Sequence, residues 1–150
     1  MAGDWKIDGA RLWSAGVATA LVAGLAAVVV WFFAEQVFDV DLLAADGPGG
    51  DIIDLGVART FTVPFVIGLA ATALLHLLLA WVPSATTFFT WMGVLVFFAS
   101  LIPVASLDVS RTVQAWLLGM HVVVFLAVVP TLRTVVGRVA MRVSTYPPPI

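Results

Sequence analysis

The sequence predicts an all-α membrane protein: an antiparallel bundle of four transmembrane helices with a short hairpin-like outer loop between the first and second. Three observations carry this. Four long apolar stretches fill the 150 residues, and nearly every charge lies outside them. Hydrophobic residues make up 62% of the chain and charged residues 11%, where a soluble domain carries about a quarter charged residues. The stretches approach the roughly 20 apolar residues that cross a hydrocarbon core of about 30 Å. Four such spans leave room for little else, so one domain is expected.

Span one runs from Leu12 to Val37, with Asp8 as its N-cap candidate. Its apolar run is too long for the core of a signal peptide, and Glu35, Gln36 and Val37 offer no small-residue cleavage site. The span is expected to stay in place as a signal anchor. Trp13 and Trp31 are separated by roughly 27 Å of helix, a match to the two aromatic belts of a membrane.

The connection over residues 38–58 is the one sizeable loop. Gly47-Pro48-Gly49-Gly50 lies between the short apolar runs Val40–Ala45 and Ile52–Val57, which reads as a turn between two strands. Span two follows from Phe61 to Val82, with Thr60 or Thr62 as cap and Pro64 near its first turn, where the missing N–H is harmless. Span three covers Thr86 to Pro103 after a tight turn, so it lies antiparallel to span two. Span four covers Arg111 to Val136, with Ser110 as cap and Pro130 as a kink candidate. The tail over residues 137–150 ends in Pro147-Pro148-Pro149, which favours an extended segment.

Charge placement orients the spans. Lys6, Arg11, Arg133, Arg138 and Arg142 fall on the face that holds both termini, and only Arg59 and Arg111 on the other. The positive-inside rule then puts both termini in the cytoplasm of a cell whose inner (plasma) membrane holds the chain. Glu35, Asp39, Asp41, Asp46, Asp51, Asp54 and Asp108 all face outward in this threading. Arg59 or Arg111 can pair with these acids and pin the loop over the bundle. Asp39, Asp41, Asp51 and Asp54 offer oxygen ligands, but their spacing matches no calcium loop. The loop therefore reads as a solvated connection.

Lipid gives no hydrophobic drive for helix association, so small residues set the packing. Gly16, Ala20 and Gly24 recur every four residues in span one, and Gly68, Thr72 and His76 in span two. Gln114, Leu118, His121 and Phe125 share a face of span four, with Gly119 beside it. These stripes are expected to face the interior.

Chemistry is sparse. The chain has no cysteine, which excludes disulfides, thiolate metal sites, iron–sulfur clusters and thiol catalysis. Ser14, Ser84, Ser100, Ser106, Ser110 and Ser144 are scattered with no base at hand. No acid lies deep in a span, which argues against a small multidrug transporter. His76 and His121 are the ionisable side chains well inside the spans, and such residues are functional candidates. The leading reading is structural, a neutral histidine bonded to a neighbouring helix through Gln114, Thr72 or Ser100. A second is bis-histidine ligation of haem b. The two depths, roughly 9 Å and 18 Å from one membrane face, oppose it. A third is a proton or cation path, which usually needs an embedded acid. The basic residues are too few for nucleic acid, and Arg133, Arg138 and Arg142 suit anionic lipid headgroups.

Asp39-Val40-Asp41-Leu42 with the Gly-Pro-Gly-Gly turn, Ser100-Leu101-Ile102-Pro103, Met120-His121 and Val128-Val129-Pro130 together carry a resemblance. The chain resembles, from the end of span one onward, a family of small four-helix actinobacterial membrane proteins catalogued only as a domain of unknown function. The resemblance implies the four-helix fold and favours His121 over His76. It implies no activity, ligand or catalytic residue.

The expected function is therefore non-enzymatic: an accessory or structural subunit that packs against lipid and against other membrane subunits or its own copies. Trp5, Trp13, Phe32, Phe33, Phe88, Phe89, Phe97 and Phe98 supply aromatic surface for such contacts. A haem- or quinone-binding anchor in electron transfer is the first alternative, and a small transporter or channel the second.

Overall fold

The computed structural model describes residues 9–46 and 50–143, with side chains as far as residue 137. The Asp8 cap, Trp5, Lys6, Gly47-Pro48-Gly49 and the proline tail lie outside the described residues, as do the side chains of Arg138 and Arg142.

Four helices follow in order: α1 (Gly9–Phe32), α2 (Val57–Trp81), α3 (Ala85–Ala105) and α4 (Arg111–Val143). All four are long and apolar enough to cross a membrane, and the chain is a multi-pass membrane protein. Helix α1 packs most extensively on α2 and α4, while α3 closes the bundle against α4 and α2. Arg11 and Arg133 sit at the same end, because their neighbours Leu12 and Leu132 share one core cluster with Leu75, Leu78 and Phe89.

At the other end α1 widens into a π-helical turn, Phe33–Val37. The Phe38 N–H donates to Phe33 O at 3.0 Å and the Val40 N–H to Ala34 O at 2.9 Å. Asp39 has a φ of 54°, the left-handed position at which helices commonly stop. Glycine usually holds it, and aspartate is one of the few other residues that tolerate it.

The loop then forms the expected hairpin. Strands β1 (Leu43–Ala45) and β2 (Ile52–Asp54) pair antiparallel, with Leu43 opposite Asp54 and Ala45 opposite Ile52. Leu42 and Leu55, one beyond each strand, are buried, and the Leu55 N–H donates to Leu42 O at 2.7 Å. Both leucines enter a second core cluster with Ala27, Ala34, Val104, Val113, Leu117 and Met120. The hairpin is thus a plug in the end of the bundle as well as a connection.

Several boundaries differ from the sequence reading. Helix α2 starts at Val57, not Phe61, because extended Gly56 (φ −62°, ψ 154°) hands β2 straight into the helix. Gly56 O accepts the N–H groups of both Arg59 and Thr60 at 3.1 Å. Neither Thr60 nor Thr62 is the cap: Thr60 Oγ1 donates back to Gly56 O at 3.2 Å. Pro64 consequently lies inside α2, beyond the first turn, and is buried there. Helix α3 continues through Pro103 to Ala105, and Ser106 Oγ covers the Pro103 carbonyl at 2.8 Å. Helix α4 runs past Val136 to Val143, since Gly137 alone does not break it. Part of the segment read as a tail is therefore helical. Ser110 does cap α4, accepting the Val113 N–H at 3.3 Å.

Candidate functional site

The small residues of α1 meet α2 at close range. A methyl group on Gly16 would overlap the Thr72 side chain, and one on Gly24 would lie 2.8 Å from the Phe61 ring. One on Gly68 would lie 2.8 Å from Ala20 Cα. Gly16, Ala20 and Gly24 from α1, with Gly68 and Thr72 from α2, thus form a single seam. Such seams let backbones approach and gain dispersion contacts that lipid cannot match.

Helix α4 does not follow its expected pattern. Gly119 has nothing within 4 Å of an added methyl group, so it makes no close helix contact. The inward positions of α4 are Val113, Leu117 and Met120 toward the hairpin end and Val128, Val129 and Leu132 toward the other, and Gly119 is rotated away from them. Gln114 does not bridge helices within the membrane. Its Nε2 donates to Leu107 O at 2.9 Å and ties the start of α4 to the turn after α3. Gly93 is the close-packing residue missed in the sequence: a methyl group there would lie 2.8 Å from Val129. Its signal was its solitude, as the one glycine in α3.

Several polar groups within the spans turn back on their own helices. Thr19, Thr60 and Thr72 are buried, and each hydroxyl donates to the carbonyl four residues earlier, Thr19 to Ala15 O at 2.8 Å and Thr72 to Gly68 O at 2.9 Å. Thr90 and Thr134 do the same, and Ser100 Oγ reaches Phe97 O at 2.7 Å. His121 Nδ1 lies 2.8 Å from Leu117 O and donates to it in that tautomer. The expected histidine bond to a neighbouring helix is therefore replaced by a bond within α4. In hydrocarbon a hydroxyl gains by finding an acceptor, and the carbonyl one turn back on its own helix can supply one.

The two histidines are not brought together. His76 is exposed, 6.4 Å from the Trp13 ring. Its neighbour Leu75 shares a cluster with Val128 and Leu132 of α4, whereas Met120, beside His121, belongs to the cluster at the hairpin end. Val128 is seven residues from His121, roughly 10 Å along the helix. Among the described residues no three His, Asp or Glu side chains group as a metal site.

At the hairpin end the acids have separate tasks. Asp46 pairs with Arg59 Nη1 at 2.9 Å, and Arg59 Nη2 donates to Ala45 O at 3.4 Å. Glu35 Oε1 accepts the Leu42 N–H at 3.4 Å. Phe38 packs on Trp116, with ring centroids 5.3 Å apart. Trp31, read as a belt residue, instead packs into the second cluster, and its buried Nε1 finds no acceptor among the described residues.

The model of a family described as "Family of unknown function (DUF6069)" matches residues 7–138. The match takes in α1 as well as the segment in which the resemblance was read. No curated protein and no solved structure matches the chain.

Proposed function

We propose that this chain, which belongs to the family of unknown function DUF6069, is a non-enzymatic accessory or structural subunit that acts by helix packing in a larger complex of the bacterial inner membrane. The observation that carries the reading is that much of the polarity of the spans is engaged within their own helices. The hydroxyls of Thr19, Thr72, Thr90 and Ser100, and the His121 imidazole, are each engaged with a carbonyl of their own helix. What such a bundle offers to its surroundings is apolar surface.

Its threading is taken from charge. Arg11 and Arg133 share one end, and Glu35, Asp39, Asp41, Asp46, Asp51 and Asp54 lie at or near the other. The rule for basic residues then puts both termini in the cytoplasm and the hairpin outside. Lipid contacts the remaining surface, and no nucleic acid or cofactor takes part.

Deletion of the chain tests this. Quantitative proteomics of the membranes should show a defined set of membrane proteins falling with it. The set should return on re-expression of the wild type and equally of a His76→Ala, His121→Ala double variant. An unchanged membrane proteome overturns the accessory role. Rescue by the wild type but not by the double variant overturns its non-catalytic character.

A further inference from the structure

The fold sorts the tryptophans by end. Among the described residues, Trp31 and Trp116 stand at the hairpin end, half-buried against the second core cluster. Trp13, Trp81 and Trp91 are 40%, 80% and 66% exposed. Helix contacts set their levels. Gly93 faces Val129 and Phe97 faces Phe125. The antiparallel register of α3 on α4 therefore brings Trp91 level with Thr131, two residues from Arg133. Gly16 faces Thr72 and Ala20 faces Gly68, so Trp13 is level with Leu75, which shares a core cluster with Leu132. Trp81 lies six residues beyond Leu75, roughly 9 Å farther along the helix. All three stand at the Arg11–Arg133 end.

Indole has an apolar body and one N–H donor. In membranes it gathers where both are served, with the body against the upper acyl chains and the N–H on ester or phosphate oxygens. Neither the Trp81 nor the Trp91 indole N–H has an acceptor among the described residues. Arg133 is exposed in the same layer, and its charge suits phosphate. The α2–α3 turn, Val82-Pro83-Ser84, carries no charge that would hold it out of that layer. The hairpin end is built otherwise. Its exposed aromatic side chains are Phe32, Phe33 and Phe38, which have no donor. Exposed carboxylates of Asp39, Asp41 and Asp54 lie at that end too, and they repel phosphate.

We propose that Trp13, Trp81 and Trp91 form a one-sided indole belt, which docks the Arg11–Arg133 end and the α2–α3 turn into the phospholipid headgroup layer of a single leaflet. Trp13 and Trp91 enter at the level of the ester carbonyls. Trp81, farther out, enters at the level of the phosphates. Each N–H donates to those lipid oxygens, and Arg133 sits among the phosphates. The rule for basic residues makes this the cytoplasmic leaflet. The depth of the chain in the bilayer is thus set from one side, while the hairpin end is held by its own core. The occupant of this surface is lipid, so the belt goes beyond the packing role and does not depend on it.

Fluorescence depth quenching tests the belt. Variants that keep one tryptophan, with every other changed to phenylalanine, are reconstituted in phosphatidylcholine vesicles brominated either near the glycerol or near the acyl-chain ends. Trp13, Trp81 and Trp91 should each be quenched several-fold more by the shallow bromines than by the deep ones. Trp31 should be quenched least at both depths. Strongest quenching of any belt tryptophan by the deep bromines overturns the proposal. So does quenching of Trp81 or Trp91 by aqueous iodide and by neither lipid, which puts that indole in water. Shallow quenching of Trp31 as strong as that of Trp91 overturns the one-sidedness. A nitroxide on Ser84→Cys guards against a variant that fails to fold, since the chain has no other cysteine and keeps all its tryptophans. Its relative accessibility to oxygen and to a nickel chelate should be that of the headgroup layer. Accessibility typical of free solution or of the hydrocarbon core overturns the docking of the turn. An unchanged membrane proteome on deletion would remove the packing role and leave these depths as they are.

Discussion

Gly16 of α1 approaches Thr72 of α2 so closely that a methyl group on the glycine would overlap the threonine side chain. The Thr72 hydroxyl is already committed to Gly68 O at 2.9 Å, so the contact is steric fit and not a hydrogen bond between helices. Gly16→Leu should therefore destabilise the bundle by about 1–3 kcal/mol, the usual effect of overpacking. Thr72→Val keeps the shape and should cost under about 1 kcal/mol. Unfolding in mixed micelles checks both; a larger loss for Thr72→Val than for Gly16→Leu would contradict the steric account.

Leu42 is fully enclosed where the hairpin enters the bundle. Leu42→Ala should cost about 2–5 kcal/mol, the range for a buried leucine that leaves a cavity. Hydrogen exchange should rise at the Leu55 amide, which bonds the Leu42 carbonyl.

The ion pair above it should matter much less. Arg59 and Asp46 are 35% and 64% exposed, so Asp46→Asn should cost about 0–1 kcal/mol. Thermal melts at low and high salt should show that small effect shrinking as salt screens the pair.

Asp39 holds a left-handed backbone at the end of the π turn. Asp39→Gly removes the Cβ penalty and should leave stability equal or higher. Asp39→Val should lower it by about 1–2 kcal/mol. Calorimetry in detergent separates the two, and an equal loss from both would argue for a role of the carboxylate itself.

The spans, their antiparallel order and the hairpin were legible because hydropathy and turn chemistry are local properties. The α1–α2 seam was legible for a related reason: a four-residue repeat of Gly16, Ala20 and Gly24 needs no knowledge of the partner helix. The rest depended on rotation about helix axes, which a uniformly apolar helix does not encode. Gly119 could not be told from Gly93 by composition, yet only Gly93 meets another helix closely. Trp31 fitted a belt by spacing and is drawn inward because the hairpin leucines fold over that end. His121 was expected to reach across helices. A carbonyl one turn back on α4 lies 2.8 Å away, and no tertiary arrangement has to supply it.

The central claim is that the bundle works by association with other protein. Native mass spectrometry of particles ejected directly from the cell's own membranes tests it without purification. The account predicts that the 15.9 kDa chain is released within a larger protein assembly at fixed stoichiometry. Release only as single chains carrying lipid would contradict it.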